Sequence, residues 1–369
     1  MLLQKIKLLL IACALLIIPK AYAGNNDSSA VKFSGYIDAY YAAYTDSLGV
    51  GSYQKYATIS PRSKQFGLNI AMLTARYDTK NVRGVFTLHY GDIPRSSWSA
   101  NYNFIQEANA GIRLSKNLWL DAGFFHTHIG TEACLPKDNY TSSVALLTFS
   151  EPYYEAGARL NYNPTEKFSI YLYGLNGYNI YEDNNQKKSV GLLATYTFGE
   201  HLNIGYSGYY GDDANEGESS HTRQFHNVFL NFKGKKLKVT AGVDFASQQR
   251  SALGHTSDGH IWGLAGGGML IVSYQATEKF RVYGRGDYFN DRNGFLSGVF
   301  VDKTNHTTGL IATTETLGLE YKPTGNSYIR LEGRNISADK NQEIFYPFCA
   351  RRMNCAASKA SVRSQMSMR

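Results

Sequence analysis

Residues 237–245 read LKVTAGVDF. Leu237, Val239, Ala241, Val243 and Phe245 share one parity, and Lys238, Thr240, Gly242 and Asp244 share the other. Successive side chains of a strand point to opposite faces, so the segment is a strand with one apolar and one polar face. Residues 280–288 repeat the pattern: Phe280, Val282, Gly284, Gly286 and Tyr288 oppose Arg281, Tyr283, Arg285 and Asp287. Segments 190–198 and 66–72 add two more apolar parities, one of Val190, Leu192, Ala194, Tyr196 and Phe198, the other of Phe66, Leu68, Ile70 and Met72.

A soluble sandwich also alternates, so the spacing of turns decides. Tight turn signals stand at 78–81, 115–117, 163–166, 199–201, 234–236, 276–278 and 323–326, with centres roughly 35 to 48 residues apart. Sandwich turns come about every 8–12 residues. Two strands of about ten residues plus one long polar loop fill the observed spacing. The long excursions are 45–63, 91–104, 126–151, 177–188, 211–222, 247–260 and 290–308. Short turns at one rim and long loops at the other are the asymmetry of a transmembrane antiparallel β-barrel of the outer membrane. Seven hairpins and a lead strand at 32–44 give fifteen strands, and an even-stranded barrel requires a sixteenth. The longest excursion, 126–151, is the third external loop; in sixteen-stranded outer-membrane barrels that loop folds into the lumen, and by that likeness the same is expected here.

Composition agrees with this reading. Tyr contributes 28 residues and Gly 35 against only 8 Pro, which suits long strands with aromatic ends. Lys5 and Lys7, the apolar run 8–18 and Ala21-Tyr22-Ala23 form a secretory signal peptide over residues 1–23. Leu10-Ile11-Ala12-Cys13 resembles a lipobox, but the apolar run continues past Cys13. No later stretch is long and apolar enough for a membrane helix. Of the net charge of +8, three come from the leader and four from 341–369, leaving +1 on residues 24–340. That distribution lacks the clustered footprint of a nucleic-acid surface. Cys134, Cys349 and Cys355 are too few in the mature chain for a disulfide scaffold.

One stretch carries candidate chemistry. Residues 123–140, GFFHTHIGTEACLPKDNY, place His126, His128, Glu132 and Cys134 within nine positions. Zinc accepts all three ligand types. The competing readings are a structural bend at the end of a strand, or a constriction of the lumen with incidental histidines. His126 and His128 continue the parity of Leu118, Leu120, Ala122 and Phe124, which is the bilayer-facing one, and a lumenal metal site needs the opposite parity.

Several short motifs resemble the OmpL-like outer-membrane β-barrel porin family, of the porin-2 type. Phe33-Ser34-Gly35-Tyr36-Ile37-Asp38-Ala39-Tyr40-Tyr41 looks like its first strand. Asp121-Ala122-Gly123-Phe124-Phe125 with Ile129-Gly130-Thr131-Glu132 looks like its Ile-Gly-x-Glu signature. Asn139-Tyr140, Ser142-Ser143, Pro152-Tyr153-Tyr154-Glu155-Ala156-Gly157 and Leu175-Asn176-Gly177-Tyr178 continue the likeness, which is best over 33–200. The resemblance implies that Gly130 permits a sharp bend and that Glu132 enters the lumen. Such barrels end in an alternating strand closed by an aromatic residue that the barrel-assembly machinery reads. Residues 347–369 lack this pattern, so the expectation is a barrel over 24–346 followed by an atypical tail, either a disordered extension or a shifted or truncated last strand.

The expected function is an aqueous channel for passive diffusion of small hydrophilic solutes across the Gram-negative outer membrane, with no cofactor. Glu132 and Asp138 of the inward loop would face lumenal Arg113, Arg159, Arg281, Arg285, Arg330 and Arg334. A wall of Arg opposite a carboxylate loop makes a transverse field; the alternative is that these Arg only satisfy lumenal Asp287 and Glu332. Expected partners are outer-membrane lipids, small polar solutes and the assembly machinery, with a homotrimer left open. The rival classes are a plugged or structural/adhesin barrel and a barrel hydrolase. The second finds His221, His226, His255 and His260 in or beside loops, but no Gly-x-Ser-x-Gly nucleophile motif.

Overall fold

The computed structural model describes residues 31–45, 52–57 and 59–342. The expected leader (1–23), the expected tail (347–369) and any sixteenth strand beyond Gln342 lie outside them. Strands β1 (Lys32–Ala42), β2 (Gln65–Asp78), β3 (Val82–Tyr90), β4 (Ile105–Ser115), β5 (Leu118–His126), β6 (Tyr154–Tyr162), β7 (Phe168–Leu175) and β8 (Ser189–Phe198) follow one another, each paired antiparallel with the next. Strands β9 (Leu202–Asp212), β10 (Thr222–Lys233), β11 (Leu237–Gln249), β12 (Trp262–Gln275) and β13 (Phe280–Asn290) extend the sheet. A two-residue hairpin, β14 (Phe300–Val301) with β15 (Thr307–Thr308), decorates the next external loop. The sheet then ends in β16 (Ile311–Tyr321) and β17 (Ile329–Ala338), making fifteen strands in one antiparallel meander.

The edges of this meander meet through side chains. Tyr328, at the foot of β17, donates to Asp38 of β1 at 2.5 Å and stands 2.5 Å from the Tyr36 hydroxyl. Strict alternation runs β1 and β17 in the same direction, so antiparallel closure needs one strand more.

Alternation sorts the faces as polar-in and apolar-out. Val243 is 61% exposed toward the bilayer, whereas Thr240 is 5% exposed and donates to Asn231 at 2.7 Å inside. Tyr77, Tyr162, Phe198, Tyr274 and Phe280 lie near the short-turn rim, and Tyr41, Tyr90, Tyr210 and Tyr288 near the long-loop rim. These are the two aromatic girdles of a membrane barrel. The tight turns are closed by their own side chains; Thr79 Oγ1, for example, accepts from the Val82 amide at 2.9 Å.

One strand departs from its expected parity. In β2 the register slips between Asp38 and Ala39 of its partner, leaving Asn69 as an extra residue. Two successive residues beside a bulge share a face, so the parity inverts there. Phe66 remains outside, but Ile70 and Met72 turn inward onto the aromatic core, and Leu73 and Tyr77 take over the outer face.

Candidate functional site: a loop clamped across the lumen

The connection from β5 to β6 does not stay at the rim. It carries a 3-10 turn (Pro136–Asp138) and a short helix, α1 (Leu146–Ser150), and it crosses the barrel interior to the wall formed by β12, β13, β16 and β17. Its departure is set by glycine. Gly123 has φ 131° and Gly130 has φ 117°, a region that side chains with a Cβ rarely enter. A Cβ on Gly130 would stand 2.3 Å from Glu151 Oε2, so the two ends of the loop close on each other there.

The base of the loop is fastened by His128. Its Nδ1–H donates to Glu155 at 2.7 Å and its Nε2–H to the Gly208 carbonyl at 2.9 Å, and the ring stacks on Tyr173 at 4.4 Å. Both partners are acceptors, so both nitrogens are satisfied only in the imidazolium. Burial opposes that charge, but Glu155 and the two hydrogen bonds outweigh it and hold the imidazole above its ordinary value. Glu151, at the loop's other end, is buried beside Asp244, and both effects push its carboxyl well above the usual range. Two glycines make room for this base. A Cβ on Gly191 would strike the His128 ring at 2.5 Å, and one on Gly242 would strike Thr131 Oγ1 at 1.9 Å.

The far end is held by charge. Arg285 of β13 has no exposed side-chain surface. Its Nη1 donates to Glu132 at 3.2 Å, to Thr141 at 3.3 Å and to the Ser143 carbonyl at 2.6 Å; its Nη2 donates to Ser143 Oγ and the Val144 carbonyl, each at 3.0 Å, and to Thr316 at 3.2 Å. Nε pairs with Asp287 at 3.2 Å, whose other oxygen accepts the Leu146 amide at 3.0 Å. Glu132 also accepts from the Ala145 amide at 2.7 Å and Thr148 at 3.2 Å. Glu332 of β17 takes the amides of Ser142 and Ser143 at 2.6 and 2.9 Å. Arg330 pairs with Glu320 at 2.7 Å and donates to the carbonyls of Pro136, Asn139 and Thr141 at 2.7–2.8 Å. Arg281 pairs with Glu320 and lies 5.1 Å from the Tyr140 ring centroid. Leu146 and Leu147 cover Met269 and Ile271, apolar residues that face inward on β12.

The sequence expectations sort accordingly. Arg285 meets Glu132 in direct contact rather than across an open gap, while Arg281 and Arg330 pair with Glu320 and touch the loop at Tyr140 and at its carbonyls. Asp138 stays 46% exposed and pairs with its neighbour Lys137 at 2.8 Å. Arg159 lies beside Asp121 at 3.0 Å and over Phe125 on the opposite wall. Arg113 is a correction: it sits at the short-turn rim, donating to the carbonyls of Lys80, Ser115 and Lys116. Its strand position is next to a bulge that ends the β4–β5 ladder, which alternation alone does not reveal. Arg334 lies two residues beyond Glu332 on the inner parity, with Nε and Nη2 buried and unbonded. The bilayer-facing parity assigned to His126 and His128 is also corrected: both line the larger cavity, because the chain turns at Gly123 and leaves the strand after His126. His128 and Glu132 spend their donor atoms elsewhere, so the four residues of 126–134 do not converge on one point.

Two of the spaces bounded by the described residues lie inside the barrel. One, of about 1130 Å³, is bordered by β1–β8 and the first half of the loop; the other, of about 540 Å³, lies toward β9–β12. Thr131, Glu132, Ala133 and Asp138 border both.

A barrel with apolar outer belts, aromatic girdles and its third external loop folded inward defines an outer-membrane porin. The chain belongs to the family described as "Putative beta-barrel porin-2, OmpL-like", whose model matches residues 30–354. It is thus a porin of the bacterial outer membrane. Among solved structures it is similar to the anion-selective porin from Comamonas acidovorans (TM-score 0.58, 10% identity, covering 85% of this chain and 90% of that one). It is similar also to Salmonella typhi OmpF in complex with daunomycin (0.56, 11%, 86% and 93%) and to the trimer form of in-vitro folded OmpT of Vibrio cholerae (0.52, 12%, 85% and 90%). At these identities the likeness is one of fold. No curated protein matches the chain.

Proposed function

We propose that small hydrophilic solutes diffuse passively past the clamped loop, through the space it leaves against β1–β8, and that the charges facing that space tune which ions pass. The observation that carries this reading is the loop itself. Arg281, Arg285 and Arg330 pin it to one wall and leave about 1130 Å³ on the other side. In this reading Asp138 and Arg159 face the solute, and Glu132, Arg281, Arg285 and Arg330 hold the loop. Arg76, Lys137, Arg159 and Lys322 border the space against Glu107 and Asp138; Glu132 is paired with Arg285, and the carboxylates that pair with Arg159 and Lys322, Asp121 and Glu320, are each shared with further arginines. An excess of cationic side chains at a narrow section favours anions. Conductance and reversal potential in a planar bilayer test this: a stable step with anion preference supports it, and inserted barrels without conductance would make the loop a plug.

We infer further that the barrels associate as homotrimers, supported by the trimer form among the similar structures. A monomer-sized band as the only species in unheated gels and in native mass spectrometry would refute it.

A further inference from the structure

The clamp leaves one pair of potential ligands unused. Cys134 is a free thiol whose Sγ stands 3.8 Å from Nδ1 of His126, and both border the larger cavity. Glu107 stands on the other side of the ring, with Oε2 4.0 Å from Nε2, while its Oε1 accepts the Asn109 amide at 3.0 Å. A carboxylate facing Nε2 favours the proton on that nitrogen and leaves the Nδ1 lone pair aimed at sulfur. With metal–sulfur bonds of about 2.3 Å and metal–nitrogen bonds of about 2.0–2.1 Å, a separation of 3.8 Å corresponds to roughly 120° at one ion between them. A second observation belongs to the same cavity. Gln106, next to Glu107 and bordering the same cavity, is fully buried, and neither its amide nitrogen nor its oxygen has a hydrogen-bond partner.

We propose that His126 and Cys134 form a binding site for one soft monovalent metal ion, of the Cu(I)/Ag(I) class, on the wall of the larger cavity. Thiolate and imidazole suit such ions, and the angle of roughly 120° between them is that of a three-coordinate ion whose third position opens on the cavity. The described residues hold no group of three or more His, Cys, Asp or Glu placed for a metal ion. On binding, the Cys134 sulfur–metal bond forms as the thiol proton leaves to solvent, with no change of oxidation state. The site does not depend on the channel reading.

The test uses the refolded full chain with Cys13, Cys349 and Cys355 replaced by Ser, titrated with silver nitrate in chloride-free buffer. One Ag(I) per chain, with release of a proton and protection of Cys134 from a thiol reagent, is expected. His126→Ala should weaken binding at least tenfold, while His201→Ala, at the short-turn rim, should leave it unchanged. Equal affinity with and without His126 would reduce the site to a bare thiol and overturn the proposal. In the unmutated histidine background, Ag(I) should shift the Nδ1 resonance of one ¹⁵N-labelled histidine; no shift on saturation would overturn it as well, independently of how the His126 variant folds.

Discussion

The two walls of this lumen carry similar side chains and use them differently. On β13, β16 and β17 the arginines Arg281, Arg285 and Arg330 are buried against Glu132, Asp287 and Glu320 and against loop carbonyls. On β2–β6, Arg76 and Arg159 border open space. An inward-facing charge is therefore not by itself a pore-lining charge. What separates the two walls is the loop, whose carbonyls, hydroxyls and carboxylate, together with Asp287 and Thr316 of the wall, occupy the donor nitrogens of Arg285 before a solute could.

The strongest way to break the contrast is Arg285→Ala. It leaves Glu132 and Asp287 buried without their common partner, and removing one member of a buried ion pair costs about 3–5 kcal/mol. Urea titration of the refolded barrel should show that loss, and Arg159→Ala on the open wall should show much less. Next in size is the inside–outside contrast within one strand. Val243→Arg, near the bilayer midplane, should cost about 2–4 kcal/mol in lipid refolding, and Thr240→Arg, beside the smaller cavity, only a small part of that.

A smaller effect comes from pH at the loop's base. His128 has a raised folded value, so its contribution is complete below about 6.5 and is lost as pH rises through the folded value. Glu151 is also raised: the unfolded chain ionises it above about 4.3 while the fold keeps it protonated, so stability falls as pH climbs toward its folded value. Unfolding midpoints from pH 5 to 9 should therefore decline, and His128→Gln should flatten the neutral-to-alkaline part of the decline. The smallest effect belongs to Asp138→Asn. An exposed pair such as Lys137–Asp138 contributes under about 1 kcal/mol, so stability should hold while the reversal potential moves toward anions.

The sequence made the barrel legible because the bilayer imposes a rule at each lipid-facing position. Val243 and Thr240 differ in what they face, and period-2 alternation reports that directly. The rule failed at the bulge by Asn69 and where β5, past the positive φ of Gly123, ends at His126, since neither changes the composition of its parity. The loop's entry into the lumen was readable from its length and position. Its destination was not, because Arg285 meeting Glu132 is a contact across 153 positions. One overlooked signal lay in Gly191 and Gly242. Glycine on the polar parity of a strand costs packing and marks a place where another segment comes close, and these two receive His128 and Thr131.

Single-channel recording of the refolded chain beside Arg285→Ala bears most directly on the claim that a clamped loop divides an open lumen. The account predicts a quiet, ohmic step for the unaltered chain and a larger, noisier one for the variant, as the released loop moves within the barrel. Silence from heat-modifiable, inserted barrels of the unaltered chain, or identical traces from the two proteins, would contradict it.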